Sequence, residues 1–352
     1  MLDFVESDRE RRRSLAVHDA IGIVVIGRNE GARLVRCIAS LPVGVPCVYV
    51  DSESSDGSVA AAEKAGADIV RLTAPPKHSA ARARNAGIAR LRQQYPGLSY
   101  VMLIDGDCEV DPDWITKAQS AMAADPALGI VFGRRRERFP DATVYNALCD
   151  DEWNVPIGEA TTCGGDVFCR LAALVQIGGY RETMIAGEDP DMATRICSAG
   201  WRIDRIDAEM TKHDASILHF GQWWKRTRRA GHAFAELAEL HPHSRQPNWR
   251  AQCRSIVFWG AAFPGSVLSS AGLAILVGGA WMIVTIALFG LWSAQWLRLT
   301  LKRPDLQPRI ARANAFFLLL GKIAEVTGMM EFYRKRLLGS ETQLIEYKSS
   351  LQ

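Results

Sequence analysis

The stretch Tyr100-Val101-Met102-Leu103-Ile104-Asp105-Gly106-Asp107 indicates the fold class, because an apolar run of strand length ends there in two carboxylates. Strands that are buried on both faces have such continuous apolar runs. Ligands of open α/β sheets collect at the carboxyl ends of these strands. Two neighbouring carboxylates repel each other unless a cation lies between them, and hard divalent cations take oxygen ligands. For this stretch alone, an Asp-Gly turn after a core strand is the plain alternative.

The sequence around this stretch alternates between strand and helix patterns. Apolar runs predict strands at Ile21–Gly27, Cys47–Asp51 and Asp68–Leu72 before it, and at Gly129–Phe139, Gly164–Arg170 and Trp201–Asp207 after it. Helical patterns separate them, among them Ser58–Ala65, Ser79–Gln93, Val144–Trp153 and Leu171–Ile177. Alternation of this kind predicts an α/β fold with a mostly parallel sheet and right-handed crossovers.

The familiar nucleotide and hydrolase motifs are missing from these strand ends. The first strand is not followed by Gly-x-Gly-x-x-Gly, and the chain has neither Gly-x-x-x-x-Gly-Lys-Ser/Thr nor Gly-x-Ser-x-Gly. The sequence therefore argues against a dinucleotide dehydrogenase, a P-loop ATPase and an α/β-hydrolase. Acidic residues stand at the strand ends instead, as Asp51, Asp105 and Asp107.

A second acidic group, Gly187-Glu188-Asp189-Pro190-Asp191, begins another predicted helix. Carboxylates are favoured near the positive end of the helix dipole, and proline suits the first turn. Helix capping needs only one acid, so three acids in four residues favour a functional role.

Composition limits the classes of protein. The 352 residues carry a net charge of +3, with 48% hydrophobic and 23% charged residues, which is typical of a folded chain. The charge balance gives no reason to expect nucleic acid binding, and no nucleic-acid motif is present. Eight cysteines without a Cys-x-x-Cys pair predict reduced thiols in a cytosolic domain.

Residues Ser255 to Leu297 contain no Asp, Glu, Lys, Arg or His. About 20 apolar residues cross a bilayer as a helix, so this run predicts a transmembrane hairpin over 255–297. Candidate turns are Ser269–Gly272 and the earlier Pro264-Gly265. Positive residues on both sides indicate that both ends face the cytoplasm, and they are Arg250, Arg254, Arg298, Lys302, Arg303, Arg309 and Arg312. A buried helical pair in a soluble core is the alternative.

Five motifs together resemble the family-2 nucleotide-sugar glycosyltransferases of the GT-A fold, over about Ile21 to Phe220. The matching stretches are Val24-Val25-Ile26-Gly27-Arg28-Asn29-Glu30, Val50-Asp51-Ser52-Glu53-Ser54-Ser55-Asp56-Gly57, Ala83-Arg84-Asn85-Ala86-Gly87, Asp105-Gly106-Asp107, and Gly187-Glu188-Asp189 with Arg195. The resemblance implies a GT-A Rossmann-like, mixed but mostly parallel sheet flanked by helices. It also implies an inverting, metal-dependent hexosyltransferase.

The predicted chain has five parts. They are a polar N-terminal arm (1–20), a GT-A domain (21–220), an interfacial helix and linker rich in basic residues and tryptophan (221–254), the transmembrane hairpin (255–297) and a cytoplasmic amphipathic tail (298–352). The basic helix also suits a lipid-linked acceptor's phosphates, with a solvated helix as the alternative.

The resemblance assigns roles to individual residues. Asp189 is expected to be the general base, with Glu188 and Asp191 as its neighbours. The nucleotide-sugar residues are expected to be Asn29, Glu30, Asp51, Arg84 and Asp105. Asp107 is the expected ligand of Mg²⁺ or Mn²⁺, and Asp105 either joins it or binds the ribose. For Arg84 an ion pair on the helix surface is the alternative, and His219 is either a metal neighbour or a packed histidine.

These expectations describe an enzyme at the inner membrane with its catalytic domain facing the cytoplasm. It would move a sugar from a nucleotide sugar, with UDP as the expected nucleotide, to a lipid-linked or saccharide acceptor for a surface polysaccharide or glycolipid. Processive synthases of the family carry Gln-x-x-Arg-Trp, whereas this chain has Gln222-Trp223-Trp224-Lys225-Arg226. This difference favours transfer of a single sugar. The alternatives are a polyprenyl-phosphate glycosyltransferase, a nucleotidyltransferase or a non-catalytic membrane scaffold.

Overall fold

A computed structural model describes residues 20–75, 78–244 and 247–339 of the chain. The chain divides into two compact units. Among the described residues, the first unit lies within 20–138 and 152–215, and the second lies within 139–151 and 216–339. Except for Ala20, the predicted N-terminal arm lies outside the described residues.

The strands of the described chain are β1 (Ile21–Gly27), β2 (Cys47–Asp51), β3 (Asp68–Arg71), β4 (Tyr100–Asp105), β5 (Cys108–Val110), β6 (Leu128–Glu137), β7 (Gly158–Ala160), β8 (Val167–Arg170) and β9 (Arg202–His213). The helices are α1 (Ala32–Ala39), α2 (Ser58–Lys64), α3 (Ala80–Gln94), α4 (Trp114–Ala124), α5 (Val144–Glu152), α6 (Leu171–Gln176), α7 (Glu188–Ser198), α8 (Phe220–Leu240), α9 (Trp249–Val257), α10 (Phe263–Val277), α11 (Ala280–Leu301) and α12 (Pro308–Leu337), with a π-helical segment, Phe258–Ala262, between α9 and α10.

One mixed sheet forms the centre of the first unit, and its strands run in the order β3-β2-β1-β4-β8-β6-β9-β5, with β7 paired to β9. Strands β3, β2, β1 and β4 are mutually parallel, and β6 is parallel to β9. Strand β8 is antiparallel to both β4 and β6. The predicted mixed, mostly parallel α/β sheet is therefore confirmed.

Apolar positions fix this arrangement. Strand β4 is fully buried from Val101 to Ile104, as its continuous apolar run predicts. Helix α4 buries Trp114, Ile115, Ala118 and Met122, which helical spacing puts on one face. Because adjacent parallel strands end at one edge of the sheet, β1, β2 and β4 bring Gly27, Asp51 and Asp105 to that edge.

Four strands differ from the prediction by three residues or more, and one of them, β8, begins at Val167 rather than at Gly164. The sequence pattern predicted that the last strand ends at Asp207, but β9 continues to His213. The exposed polar residues Glu209 and Lys212 lie between the buried residues of its second half, and they interrupt the apolar pattern. The short strands β5 and β7 were not predicted, since three residues carry too little pattern to be recognised.

In the second unit, two long helical stretches, Trp249–Val277 and Ala280–Leu301, are long and apolar enough to cross a membrane. Side chains such as Leu268, Ile275, Ile283 and Ile286 are between 64% and 84% exposed. A helical pair buried in a soluble core would have such side chains covered, and in the described structure they are not.

The turn between the two helices lies at Gly278-Gly279, where both glycines have positive φ. The predicted turns at Ser269–Gly272 and Pro264-Gly265 are wrong, because these residues continue helix α10. Small residues and an N-terminal proline are compatible with a helix in an apolar setting.

Helix α12 is 30 residues long and packs against α8 within the second unit. Their crossing depends on glycine: a Cβ on Gly328 would lie 1.9 Å from the carbonyl oxygen of Arg228, and one on Gly231 would lie 2.0 Å from that of Glu325. Trp223 packs beside this crossing, with its ring centroid 4.9 Å from that of Phe317.

Candidate active site

The end of β4 is held by a buried arginine from α3. The Nη2 atom of Arg84 lies 2.9 Å from Oδ1 of Asp105, and its Nη1 atom lies 3.0 Å from Oδ1 of Asp189 and 3.3 Å from Oε1 of Glu188. Arg84 is only 2% exposed, so the surface ion pair considered from the sequence is wrong. A single guanidinium group therefore joins the β4 acid to the acids of α7.

The sequence around Arg84 explains its position. A Cβ on Gly87 would lie 2.3 Å from Val24, so this glycine allows α3 to approach β1 closely. Asn85 fixes the loop before α7, because its side-chain amide donates to the carbonyl of Tyr180 and its Oδ1 accepts the Tyr180 N–H, both at 2.8 Å. Gly165 leaves room for Arg84, since a Cβ there would lie 2.4 Å from Nη2 of Arg84.

The pKa values around Arg84 show which charges it balances. Burial opposes ionisation of Asp105, but Arg84 and Arg135 outweigh that effect and lower its pKa. Burial raises the pKa of Asp189 to about 7, against the lowering effect of Arg84. Glu188 and Asp105 add to the rise because they are negative neighbours. Two carboxylates on the same guanidinium group thus differ in proton affinity.

Asp107 pairs with a different residue from Asp105. Its Oδ2 atom is 3.3 Å from Nε2 of His213, and both residues are buried. This approach follows from the antiparallel pairing of β5 and β9, which sets Cys108 opposite His213. Ligand atoms of Asp107, Cys108 and His213 all lie within 4.8 Å of one another. The carboxylate and imidazole of this group are suitable ligands for a divalent ion.

Asp166, directly before β8, connects three strands beneath this site. Its Oδ1 atom accepts the Asp105 N–H at 3.1 Å, and its Oδ2 atom accepts the Thr211 hydroxyl at 2.8 Å. Arg135 of β6 pairs with the same Oδ2 at 3.3 Å and reaches Asp105 at 3.5 Å. The carboxylate of Asp166 therefore fixes the ends of β4, β6 and β9 in one arrangement.

Trp153 lies against this network. The guanidinium carbon of Arg135 lies 4.8 Å from the centroid of a Trp153 ring, within the range of a cation–π contact. The Trp153 ring also meets the His213 ring edge-on, with 4.9 Å between centroids. One aromatic side chain thus contacts residues beside both Asp105 and Asp107.

The predicted nucleotide turn after β2 is internally hydrogen-bonded. Asp51 is buried and accepts hydrogen bonds from the Tyr49 hydroxyl at 3.1 Å and the Ser54 N–H at 2.9 Å. Asn29, with φ 56°, joins this turn to the β1 loop, because its N–H donates to the Ser54 hydroxyl at 2.9 Å. Glu30 pairs with Arg33 at 2.8 Å.

The three acids of α7 have different surroundings. Glu188 and Asp189 face Arg84, as described above. Asp191 is fully buried and pairs with Arg195 at 2.9 Å and with Arg181 at 3.4 Å. Arg195 in turn donates to the backbone carbonyls of Ile177 and Gly179. The structure thus brings Glu188 and Asp189 to Arg84, whereas Asp191 stabilises the chain before α7.

The net charge of this cluster is negative. Among the described residues, the contacts above join the guanidinium groups of Arg84 and Arg135 to carboxylates that outnumber them, which are Asp105, Asp166, Glu188 and Asp189. Asp107 adds a further negative charge, because it acts electrostatically on both Asp105 and Arg135. Such a site attracts cations, and an anionic diphosphate needs a cation to bind there.

Three residues of this cluster were not among the predicted site residues, namely Arg135, Asp166 and His213. Arg135 had a sequence signal, because Arg134-Arg135-Arg136 ends a buried strand, where charges need partners. Asp166 also had a sequence signal, because it lies next to the glycine pair Gly164-Gly165, just as Asp105 lies next to Gly106.

His219 belongs to the second unit, where it precedes α8, and its N–H donates to the side chain of Gln222 at 3.1 Å.

The mixed sheet with its flanking helices is a GT-A-like fold. The mannosyltransferase PcManGT from Pyrobaculum calidifontis, solved in complex with GDP-Man and Mn²⁺, has a similar structure, with a TM-score of 0.61 over 89% of this chain and 87% of that one, at 17% identity. Residues 22–161 match the family model of glycosyl transferase family 2. The predicted resemblance to family-2 glycosyltransferases is thereby confirmed.

Two curated relatives extend the likeness beyond that region. The pre-mycofactocin glycosyltransferase of Mycobacterium tuberculosis is 26% identical in an alignment of 271 positions, which covers 72% of this chain and 53% of the relative. The chain thus spans about half the length of that protein. The succinoglycan biosynthesis protein ExoA of Rhizobium meliloti is 24% identical in an alignment of 285 positions, which covers 74% of this chain and 84% of the relative.

Proposed function

We propose that this protein is an inverting glycosyltransferase that moves a sugar from a nucleotide sugar to a hydroxyl group of an acceptor. The observation that carries the proposal is the Asp105–Arg84–Asp189 arrangement, in which Asp189 has a pKa of about 7. A general base works best when its pKa lies near the working pH. An acid at the end of β4 and a base on α7, held by one guanidinium group, suit the two sides of a transferred sugar.

The nucleotide is assigned to the edge formed by the loops after β1 and β2. Asp51 carries a carboxylate beside the turn Ser52–Gly57, where it suits hydrogen bonds to a base or ribose. Asn29 and Glu30 lie in the adjoining loop, and Asn29 keeps the two loops together. The predicted base is uracil, taken from the family resemblance, and a donor panel tests it against guanine.

A divalent ion fits beside Asp107. Asp107 and His213 would hold it, and Asp105 interacts electrostatically with both residues. Either Mg²⁺ or Mn²⁺ accepts carboxylate ligands. When bound, such an ion neutralises charge that develops on the departing diphosphate. His219 stays a predicted neighbour of the ion.

The residues of this chain then divide the chemistry. Asp189 accepts the proton of the acceptor hydroxyl while that oxygen bonds to the anomeric carbon, and the bond from this carbon to the nucleoside diphosphate breaks. Attack opposite to the leaving group inverts the anomeric configuration. Glu188 pairs with Arg84, as the base does, and thereby orients Asp189. Asp191 acts indirectly, through the packing of α7.

The site is assigned to the cytoplasmic side of the inner membrane. Two helical stretches suited to crossing a bilayer, with basic residues at both outer ends, support this assignment. A membrane-bound enzyme of this kind suits a lipid-linked saccharide acceptor, used for a surface polysaccharide or glycolipid. The order Gln222-Trp223-Trp224-Lys225-Arg226 favours the transfer of one sugar per acceptor.

The test is a panel of UDP- and GDP-sugars with native membranes and Mg²⁺ or Mn²⁺, followed by product analysis. We expect release of a nucleoside diphosphate together with a glycosylated acceptor. Asp107→Ala and Asp189→Asn should each lower turnover by about 100- to 10,000-fold, which is typical of the loss of a catalytic group. Asp113→Asn is the matched control, because Asp113 is an exposed acid at the start of α4.

Other outcomes identify the alternatives. An already ionised phosphate acceptor needs no strong base, so full activity of Asp189→Asn with loss in Asp107→Ala would indicate a polyprenyl-phosphate glycosyltransferase. Release of pyrophosphate would indicate a nucleotidyltransferase. Absence of any product from every donor, with either metal ion, would overturn the proposal in favour of a scaffold.

A further inference from the structure

We propose that the second unit binds the headgroup of an anionic phospholipid in a pocket at the start of α9. This pocket has a volume of about 730 Å³ and is formed by the end of α8, the first turns of α9 and the end of α12. It lies wholly within the second unit. The inference goes beyond the proposed transfer reaction and uses none of its residues.

The charges that line the pocket favour an anion. Arg250 and Arg254 are four residues apart on α9, so they lie on one face of the helix, and both are exposed. Within the described part of the chain, neither arginine pairs with a carboxylate. The acid of the pocket, Glu239, is already paired with Arg336. Two guanidinium groups therefore face the pocket with their charge uncompensated, and guanidinium groups bind phosphate through paired N–H donors.

Polar groups that can accompany a phosphate complete the lining. His243 and Ser244 follow α8, and Tyr333 of α12 is 39% exposed. Imidazole, hydroxyl and phenol groups can all donate hydrogen bonds to phosphate oxygens or to a glycerol headgroup. The first turn of α9 adds the positive end of a helix dipole.

The apolar neighbourhood identifies the anion as a lipid rather than free phosphate. The stretch that is suited to crossing a membrane begins at Trp249, and so it contains both arginines in its first two turns. Val257 and Phe258, in the next turn, are 48% and 50% exposed. At 1.5 Å per residue, they lie about 5 Å beyond Arg254, in the direction of the acyl chains. Basic pockets at this level of a membrane helix are suited to phospholipid headgroups.

The experiment measures lipid binding directly, so it is independent of sugar transfer. Full-length protein purified in detergent is titrated with phosphatidylglycerol, phosphatidylcholine or inorganic phosphate, and bound lipid is counted by native mass spectrometry. We expect saturable binding of phosphatidylglycerol alone. The double variant Arg250→Gln/Arg254→Gln should weaken it by about 30-fold, from the usual contribution of two basic residues near an anionic surface.

The matched control is Arg298→Gln/Arg309→Gln, which removes the same charge at the other end of the hairpin. It should bind phosphatidylglycerol like the wild type. Circular dichroism and the Tm without lipid check that both double variants fold. Because Arg250 and Arg254 are exposed, we expect their substitution to leave the fold intact. Equal binding of the two lipids, equal weakening in both double variants, or saturable binding of inorganic phosphate alone would each overturn the proposal.

Discussion

Asp189 and Asp105 lie on the same guanidinium group, yet their pKa values shift in opposite directions. Asp105 has two cationic neighbours, Arg84 and Arg135, and its pKa is lowered. For Asp189 the effect of burial outweighs the effect of Arg84, and the pKa of this carboxyl group rises to about 7. At neutral pH one acid is thus ionised and available to the donor, while the other exchanges protons readily. Such separation of two carboxyl groups is how one site holds both a fixed charge and a base.

The pKa of Asp189 predicts the pH dependence of transfer. Only the ionised carboxylate accepts a proton, so kcat/KM should rise with pH, pass its half-maximal value near pH 7 and then level off. The measurement is kcat/KM for the acceptor between pH 5 and 9. Donor affinity over the same range is the control. A donor affinity that alone accounted for the rise would contradict the role of Asp189.

A second prediction concerns Gly165, whose missing side chain leaves room for Arg84. In Gly165→Ala the new methyl group would lie 2.4 Å from Nη2 of Arg84 and 3.2 Å from Oδ2 of Asp105, so the pair must separate. A displacement of about 1 Å at a reacting site can cost about 100-fold, and we expect a loss of that size in kcat/KM.

The control for this substitution is Gly97→Ala, where nothing lies within 4 Å of the new Cβ. It should leave kcat/KM and Tm unchanged. Normal kinetics in Gly165→Ala would show that the Arg84–Asp105 contact does not matter for transfer.

At the scale of elements, local pattern predicted the first half of the sheet well. Strands β1, β2 and β4 and the acids that follow them depend on continuous apolar runs, which the sequence shows directly. Strands β5 and β9 depend on pairing between residues about 100 positions apart, for which the sequence has no local sign. His213 could not be placed beside Asp107 from the sequence for this reason.

The crossing of α8 and α12 gives the prediction at this scale. A methyl group in Gly328→Ala would lie 1.9 Å from a backbone carbonyl oxygen of α8, and a helix backbone cannot yield as a flexible side chain does. We expect the variant to lose about 1–3 kcal/mol of stability or more, as overpacked sites do. The Tm of purified protein in detergent measures this.

Gly272→Ala is the control for the helix crossing, because its Cβ would meet nothing within 4 Å and alanine favours a helix. Its Tm should equal or exceed that of the wild type. Equal Tm values for the Gly328→Ala variant and the wild type would mean that the two helices separate without cost.

For the whole molecule, the exposed apolar helices predict a topology. If the two stretches cross the bilayer, the turn at Gly278-Gly279 lies on the far side from both basic ends. A cysteine introduced as Ala280→Cys should react in whole cells with a membrane-impermeant maleimide. Arg309→Cys should react only after the cells are opened.

The eight native cysteines are the background of this test. All lie in the described part of the chain, where four are buried and four are half-buried, namely Cys47, Cys163, Cys197 and Cys253. The unsubstituted protein measures their contribution. Labelling of Arg309→Cys in intact cells, or protection of Ala280→Cys there, would contradict the predicted orientation.

Arg84 has a kinetic consequence because it is shared. It is hydrogen-bonded to Asp105, on the proposed donor side, and to Asp189, on the proposed acceptor side. A donor hydroxyl that engages Asp105 would weaken its hold on the guanidinium group, which would then be more available to Asp189 and lower its pKa. A larger fraction of Asp189 would therefore be ionised, and able to accept a proton, only after the donor has arrived. Compulsory order, with the nucleotide sugar first and the acceptor second, is the rate behaviour that this shared cation would produce.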